Sequence, residues 1–340
     1  MNGFLSISFR LLINIESLNS IESIGNLVRH RSAPIVVKDR KEYSVRFVPV
    51  ISGEAIGHGY QRQLAEVASG MNLPLTEESK RGEFLKFADD ALLERYGIPV
   101  PDSEAKIRST EVEILLKDVV CDVGGFMYAG DYPVKRTSRF QVGYMIPALE
   151  DVKAAALEAQ FHVRHAPSSM KQYQAPYNVE VGSAVYTFTF NLDLAGIGVP
   201  STEFGDKSPK EQELANQRND RVKASLVALA SFITSMPYGA KKSRFLPNVE
   251  YLSAIAAYSK DVTFIVSPGN SKNFIKDTVD RSKELVGLGE ILKKQLKPPK
   301  MVILDKEGAS DNIETENVEV EIVKTPEAFA KKILETILGE

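Results

Sequence analysis

The chain has little of what metal centres and disulfide scaffolds need. It contains no tryptophan, four histidines and a single cysteine, Cys121, among 340 residues. One cysteine excludes an internal disulfide and any zinc site built from two or four thiolates, and it favours a reducing, cytoplasmic compartment. With so few histidines, we expect neither a metal site nor a cofactor.

Long apolar runs are also missing. None approaches the roughly 20 residues that span a bilayer. Residues 1–15 are apolar but are interrupted by Ser6, Ser8 and Arg10, which breaks the continuous apolar region of a secretion signal. We therefore expect a cytoplasmic protein with no membrane partner.

The common catalytic and nucleotide-binding motifs are absent. There is no G-x-S-x-G, no H-E-x-x-H, no G-x-x-x-x-G-K-[ST] loop, and no G-x-G-x-x-G after the first predicted strand. A metabolic α/β enzyme is therefore a remote interpretation. The 43% of hydrophobic residues is enough for a sizeable core of one large or two ordinary domains.

The net charge of −3 gives no hint of nucleic acid by itself, but the charge is unevenly spread. Residues 305–340 hold ten acidic and four basic residues, so the first 304 residues carry a net charge of +3. Such separation is typical of basic binding surfaces with acidic flanks.

Hydrophobic periodicity predicts six main elements. Period-two alternation predicts a half-buried strand over residues 5–15 and further strands over 157–165, 178–192 and 249–258. Helical spacing predicts helices over 52–69 and 209–233. The order β, α, β, β, α, β predicts an α+β fold of the ferredoxin-like kind, an antiparallel sheet with two helices on one face.

The long connections must build appendages on this small core. We predict a core over 1–260 with a hairpin or loop insertion at 16–51 and an insertion of helices plus a glycine-rich basic hairpin at 70–156. Residues 261–340 are predicted to form an α/β extension with an acidic tail. The face without helices stays polar, as in RNA-recognition folds. The side chains predicted to lie on that face are Arg10, Asn14, Gln160, His162 and Arg164.

The first candidate site is a polar loop leading into a basic cluster. Asn26 precedes Arg29, His30 and Arg31, and such a segment can hold phosphates through amides while its cations neutralise them. The alternative is a hydrophilic hairpin with solvated charges.

The second candidate is the start of the helix at 52. Ser52 and Gly53 form a helix N-terminus, which is a natural anion site. Glu54 and His58 are spaced for an acid–base pair or two metal ligands, but no third ligand lies nearby. Two glycines in the same helix indicate tight packing against a neighbour.

The third candidate is a glycine-rich loop that runs into a basic strand at residues 124–141. Four side chains are predicted to share one strand face, with Arg136 beside them, namely Lys135, Thr137, Arg139 and Gln141. The aromatic residues predicted to stack on bases are Phe126, Tyr128 and Phe140. The alternative is a mobile surface loop.

Two further segments complete the candidates. His162 is predicted on the polar sheet face, where it contacts RNA or acts as an acid or base. The turn at 237–247 carries Lys241, Lys242 and Arg244, which suit non-specific phosphate contacts, and the alternative is a solvated loop.

Together these segments resemble the DevR-type backbone subunit of archaeal type I-A CRISPR Cascade complexes. The resemblance is specific because several long motifs occur in order between about residue 3 and residue 250. The motifs are residues 14–19, 22–26, 30–34, 48–55, 118–119, 122–130, 136–139, 143–148, 157–164 and 243–247.

The resemblance implies an RRM-like palm with inserted helical and hairpin subdomains and no catalytic activity. Copies of such a subunit line up along the guide RNA (crRNA) as a helical filament, together with other Cascade subunits, and leave the bases free to pair with complementary target DNA. By resemblance, His162 contacts guide RNA and the hairpin at 135–139 kinks the strand or touches the neighbouring subunit. The turn at 239–244 departs from the more glycine-rich family version. The competing interpretation is a metal-independent endoribonuclease of the same fold that uses His162 or His58.

Overall fold

The structure, a computed structural model, describes residues 3–39, 42–163, 176–291, 293–311 and 313–339. Two short 3₁₀ helices lie at Glu104–Lys106 and Leu149–Ala154. The strands and helices, in chain order, are β1 (Phe4–Glu16), β2 (Ser20–Ile24), β3 (Leu27–His30), β4 (Ser32–Asp39), β5 (Glu42–Pro49), α1 (Gly53–Gly70), α2 (Glu77–Arg81), α3 (Asp90–Arg95), α4 (Ile107–Lys117), α5 (Val119–Gly124), β6 (Phe126–Tyr128), β7 (Val134–Arg136), β8 (Phe140–Val142), β9 (Ile146–Pro147), β10 (Ala156–Val163), β11 (Pro176–Asp193), α6 (Glu211–Ser235), β12 (Asn248–Ser259), α7 (Phe274–Ile291), β13 (Lys300–Asp305), β14 (Val320–Val323) and α8 (Pro326–Leu338).

A large, mostly antiparallel sheet forms the centre of this α+β fold. Within the described residues it has ten strands, with the main order β14-β13-β12-β1-β11-β3-β2. The four strands predicted from periodicity are β1, β10, β11 and β12, and they pair side by side in the order β12-β1-β11-β10. The two predicted helices are α1 and α6.

The main core lies between this sheet and helices α1, α6 and α8. Phe9 of β1 stacks on Phe188 of β11 with ring centroids 4.8 Å apart, and Phe329 of α8 meets Phe9 edge-on. Tyr60 of α1 is fully buried and donates its hydroxyl to the carbonyl of Ser225 in α6 at 3.1 Å. These contacts explain the apolar stripes that the sequence shows on both helices.

The opposite sheet face is also covered, which corrects the prediction of a half-buried first strand with an open polar face. Ser6 and Ser8 accept hydrogen bonds from the backbone amides of Val266 and Gly269. Arg10 is buried and donates to Glu307 at 2.8 Å. The chain after β12 and helix α7 cover this face through a separate core, so Arg10 is not available to RNA.

Strand β10 departs from its sequence pattern in the opposite way, because its apolar side is exposed. Alternation places Leu157, Phe161 and Val163 on one side of this strand, yet Phe161 is 65% exposed and Leu157 and Val163 are also exposed. Asn14 is half-buried and Gln160 is exposed. Arg164 lies outside the described residues, so its predicted role stays a prediction.

The insertion at 70–156 has a small core of its own, formed by α3, α4, α5 and the β6–β7 pair. Strands β4 and β5 form a separate hairpin that packs one face on Val152. The C-terminal part adds β13 and β14 to the main sheet, and α8 packs in the main core. The division into domains at 260 stays a prediction. None of the helices in the described ranges is long and apolar enough to cross a membrane.

Candidate nucleic-acid interface

Two of the candidate segments, the hairpin with Asn26 and the turn at 237–247, meet at one groove, which we call the basic groove. It has a volume of about 500 Å³. One wall is the tip of the β2–β3 hairpin, the floor is the start of β11, and the other wall is the turn after α6. Its lining residues are Ser23, Gly25, Asn26, Val28, Tyr177, Val179, Lys241, Ser243, Arg244 and Phe245.

The turn after α6 is held in a fixed position against the end of β1. The amide of Ala240 donates to the carbonyl of Leu18 at 2.8 Å. Gly239 has φ +88°, and a Cβ at this residue would meet the Leu18 side chain at 2.6 Å. Lys241 also has a left-handed backbone (φ 54°), and its carbonyl accepts from the amides of Arg244 and Phe245. A glycine and a strained lysine therefore set the direction of the basic side chains.

Lys241 carries a cation that the described part of the chain does not pair. Its Nζ is buried and has no hydrogen-bond partner in the part of the chain that the structure describes. Burial lowers the pKa of Lys241, because the ammonium loses water without gaining an anion. A phosphate oxygen at this position would supply the missing partner.

The two neighbouring cations differ from Lys241. Lys242 donates to the carbonyl of Met236 and lies 5.8 Å from the centre of the Tyr238 ring, and burial lowers its pKa as well. Arg244 is exposed and donates to the hydroxyl of Tyr177 at 3.1 Å. Arg244 is therefore free to turn toward a ligand, whereas Lys242 already has contacts within the turn.

An aromatic group lies beside these cations. The rings of His162 and Tyr177 are stacked with centroids 5.3 Å apart, and Phe245 meets His162 edge-on at 5.4 Å. The Nε2 atom of His162 is buried and has no hydrogen-bond partner among the described residues. Stacked aromatic surfaces next to cations are typical of single-stranded nucleic-acid sites. Sequence reasoning missed Tyr177 and Phe245, although Phe245 directly follows the basic turn.

The hairpin cluster at 26–31 is divided between surface and interior. Asn26 is exposed at the groove, and Arg29 lies 3.7 Å from Glu22 with both side chains about half exposed. Arg31 donates to the hydroxyl of Tyr144 at 3.4 Å. The prediction that these three residues contact RNA stays a prediction.

His30 is buried, which corrects its predicted role as an RNA contact. Its Nδ1 lies 2.7 Å from the carbonyl of Arg31, and its Nε2 lies 2.7 Å from Oε1 of Glu16, although this second contact is not aligned as a hydrogen bond. Glu16 also accepts from Tyr186 and Leu18. Burial by itself lowers the pKa of His30, but Glu16 outweighs it, so the pKa lies above its ordinary value.

The start of α1 is occupied by local contacts. Ser52 is buried, its hydroxyl accepts from the amide of Ala55 at 3.3 Å, and its own amide donates to Asn19. A Cβ on Gly53 would meet the carbonyl of Val142 at 2.5 Å. Ser52 is therefore explained as the N-cap of α1, and Gly53 by the close approach of the backbone at Val142.

His58 is exposed on the outer side of α1. Its ring lies 5.1 Å from that of Phe84. Burial, followed by the charges of Arg62 and Lys86, lowers the pKa of His58. Within the described ranges, no group of three or more His, Cys, Asp or Glu side chains is arranged to hold a metal ion.

The predicted basic strand at 135–141 is not continuous, which is a correction. Residues of β7 pair with β6, whereas β8 pairs with β11, so Lys135 and Gln141 belong to different strands. Arg139 pairs with Asp193 at 3.1 Å, and Lys135 is exposed. The three aromatic residues that we expected to stack on bases are buried, namely Phe126, Tyr128 and Phe140.

Arg136 also cannot make its predicted contact with RNA, because its side chain is buried among carboxylates. It lies 3.1 Å from Glu111 and donates to Asp122 as well. Arg221 of α6 meets Asp122 at 2.9 Å. This cluster joins the insertion to the main helices and has no exposed side chain to offer a ligand.

The family model and the relatives in sequence agree on a family. The model of the family described as "CRISPR-associated negative auto-regulator DevR/Csa2" matches residues 7–279. The "CRISPR-associated aCascade subunit Cas7/Csa2 2" of Saccharolobus solfataricus is 48% identical over 282 residues, covering 83% of this chain and 87% of that protein. The "CRISPR-associated protein Cas7/Csa2 1" of the same organism is 37% identical, covering 81% of this chain and 85% of that protein. A chain of a solved "CRISPR RNA-guided surveillance complex" aligns with a TM-score of 0.47 and 9% identity, covering 98% of this chain and 99% of that chain.

Proposed function

Because this chain belongs to the DevR/Csa2 family of CRISPR-associated proteins, we propose that it is a non-catalytic backbone subunit of a type I-A Cascade complex. In this proposal it binds guide RNA along the RNA backbone. Copies assemble side by side on that RNA with other Cascade subunits, and the bound guide pairs with complementary target DNA in antiviral defence. The central sheet serves as an RRM-like palm.

One observation carries the proposal, namely the ammonium of Lys241 in the basic groove, which has no partner among the residues that the structure describes. A buried cation without an anion is costly in a folded chain, and an external phosphate removes that cost. Arg244 and Asn26 lie in the same groove and add an exposed cation and an amide. The groove thus suits a phosphate backbone better than an uncharged ligand.

The aromatic group supports a second part of the proposal, that the protein does not read sequence. Stacking on Tyr177, Phe245 or His162 is available to every base, because every base has a π-face. Backbone contacts position a nucleic acid without specifying its sequence. Sequence recognition is therefore left to base pairing between guide and target.

Binding of labelled single-stranded RNA tests the proposal. We expect salt-sensitive binding with little dependence on sequence, intact RNA after incubation, and growth of particles by light scattering when long RNA is added. No affinity at moderate salt, or strictly monomeric protein with saturating RNA, would contradict it. Specific cleavage of repeat RNA that is lost in His162→Ala would instead support the endoribonuclease alternative.

A further inference from the structure

Glu16 places a buried carboxylate at the end of β1. Its side chain is fully buried. Its Oε2 accepts from the amide of Leu18 and its Oε1 accepts from the hydroxyl of Tyr186, both at 2.8 Å. Burying a carboxylate is unfavourable unless its oxygens are paired, and an apolar side chain would fill the same position without that cost. The carboxylate therefore indicates a role beyond packing.

The backbone before Glu16 is distorted in a way that turns this side chain inward. The register of β1 with β11 shifts between Ile13 and Glu16, which marks a bulge. Within the bulge, Ile15 has a left-handed backbone with φ 54°, which is rare for a β-branched residue, and its side chain is 60% exposed. Bulges re-aim side chains, and strained residues of this kind cluster at functional sites. The bulge thus aims Glu16 into the interior.

The neighbouring strand leaves room for the carboxylate. Glu16 pairs with Gly182 of β11, and a Cβ at this glycine would lie 2.6 Å from Oε1 of Glu16. Side-chain atoms do not approach each other so closely, so a larger residue would displace the carboxylate or the strand. The bulge and the glycine therefore both serve the position of one side chain.

Glu16 is connected to all three parts of the basic groove. Tyr186 belongs to β11, whose start is the floor. His30 belongs to β3 of the hairpin wall, and its Nε2 lies 2.7 Å from Oε1 of Glu16. Leu18 holds the other wall, because its carbonyl accepts from the amide of Ala240 in the turn after α6. One carboxylate thus joins the floor and both walls.

His30 is the charged partner in this arrangement. Its amide donates to the carboxylate of Glu180 in β11 at 2.8 Å. Burial alone lowers the pKa of His30, but Glu16 and Glu180 help to raise it above its ordinary value. The other titratable groups around the His30–Glu16 pair are the buried hydroxyls of Tyr186 and of Tyr238 in the turn after α6. Both walls and the floor therefore contribute groups that face this pair.

We propose that Glu16 is the positioning residue of the basic groove and that, through His30 and Leu18, it fixes the distance between the two walls. A groove whose walls are already ordered binds its ligand without first losing their conformational freedom. This inference rests on the proposed function, because it names the residue that prepares the same site for RNA.

Distances across the groove test the inference without RNA. Ser23 and Ser243 line the groove on opposite walls, and cysteines at these positions can carry nitroxide spin labels. The native Cys121 is fully buried and does not compete for the label. We expect double electron–electron resonance to give a narrow distance distribution for the otherwise wild-type chain. Glu16→Gln keeps the size of the side chain but removes its charge, and it should broaden the distribution.

The matched control is Asp122→Ala, which removes a buried carboxylate whose partners are Arg136 and Arg221. This control should lower stability but leave the distances across the groove unchanged. In the unlabelled chains, Glu16→Gln should weaken RNA binding about tenfold, the effect of having to order one or two side chains on binding, and the control should not weaken it. Equal distance distributions and equal RNA affinities in the two variants would overturn the inference.

The pH dependence of the same distances needs no variant at position 16 and decides the inference if Glu16→Gln does not fold. His30 loses its charge as the pH rises from its ordinary pKa of about 6.5 through its higher folded value. The distribution should broaden across that window in the wild type and should not change with pH in His30→Gln. A distribution that is independent of pH in the wild type would contradict the inference. Failure of the wild type to bind any RNA would instead contradict the proposed function, and the distances would still decide the inference.

Discussion

Two basic regions of the molecule differ in what their cations meet. In the cluster of the insertion, Arg136 and Arg221 are buried and share the carboxylate of Asp122, and Arg136 also pairs with Glu111. In the basic groove, Lys241 is partly buried and its ammonium has no partner within the described residues. The first region pairs its cations within the fold, whereas the second leaves one cation without a partner among the described residues.

The carboxylates of the insertion show how complete the internal pairing is. Asp122 accepts from the amide of Gly198 besides both arginines, and Glu111 accepts from Ser201 and Thr202. Burial would raise the pKa of both acids, yet these contacts hold each pKa below its ordinary value. A basic segment in a sequence can therefore form either kind of region. Only the residues that contact its cations distinguish the two kinds.

The largest expected effect comes from breaking the buried cluster. Asp122→Ala leaves Arg136 and Arg221 without their shared carboxylate, and removing one partner of a buried ion pair typically costs about 3–5 kcal/mol. We expect a loss of that order in the free energy of unfolding, measured by urea denaturation. The exposed Asp220→Ala in the neighbouring helix is the control. A change as small as that of the control would show that the cluster is not structural.

The next effect concerns the aromatic group of the basic groove. Phe245→Ala removes one stacking surface, and loss of base stacking costs about 1–3 kcal/mol per base. We expect RNA affinity to fall by about tenfold, measured by fluorescence anisotropy, with unchanged stability. Leu246→Ala, an exposed neighbour, serves as the control. Equal affinity in the two variants would remove stacking from the proposal.

A smaller effect is expected from the pair of His30 and Glu16, which is buried like the arginine cluster but titrates. The pKa of His30 is raised in the fold, so its contribution to stability is complete below the ordinary pKa of about 6.5 and is lost as the pH rises through the folded value. We expect the unfolding free energy to fall across that window. His30→Gln should flatten this part of the pH profile, and an unchanged profile would contradict the assignment.

The smallest effect on stability is expected at Arg29, which is paired but exposed. Its pair with Glu22 is about half open to solvent, and such pairs contribute less than about 1 kcal/mol. Arg29→Ala should leave thermal stability nearly unchanged. If Arg29 turns to RNA, the slope of log affinity against log salt should fall by about 0.7, as for one phosphate contact. Glu22→Ala should leave this slope unchanged.

Local patterns in the sequence were enough to predict the central elements. The period of residues 5–15 predicts β1, and helical spacing predicts α1 and α6 to within about two residues. The burial of Arg10 could not be predicted, because Arg10 pairs with Glu307, almost 300 residues away in the chain. Burial that is created by distant segments leaves no local signal.

For the same reason, only part of the candidate site could be predicted. The basic turn with Lys241 and the hairpin with Asn26 could be found from composition, but their meeting at one groove depends on the sheet. Lys135 and Arg136 are neighbours in sequence, yet they point to opposite sides of β7, one exposed and one buried. A basic motif in the sequence predicts that a cation is present, but the fold decides which residues contact that cation.

The salt dependence of RNA binding by Lys241→Ala tests the central claim most directly. The control is Lys276→Ala, because that lysine pairs with Asp280 on the outer face of α7. If Lys241 holds a phosphate, its substitution weakens binding to single-stranded RNA and lowers the salt slope by about 0.7, and the control leaves both unchanged. Equal affinities and slopes for the wild type and both variants would contradict the account.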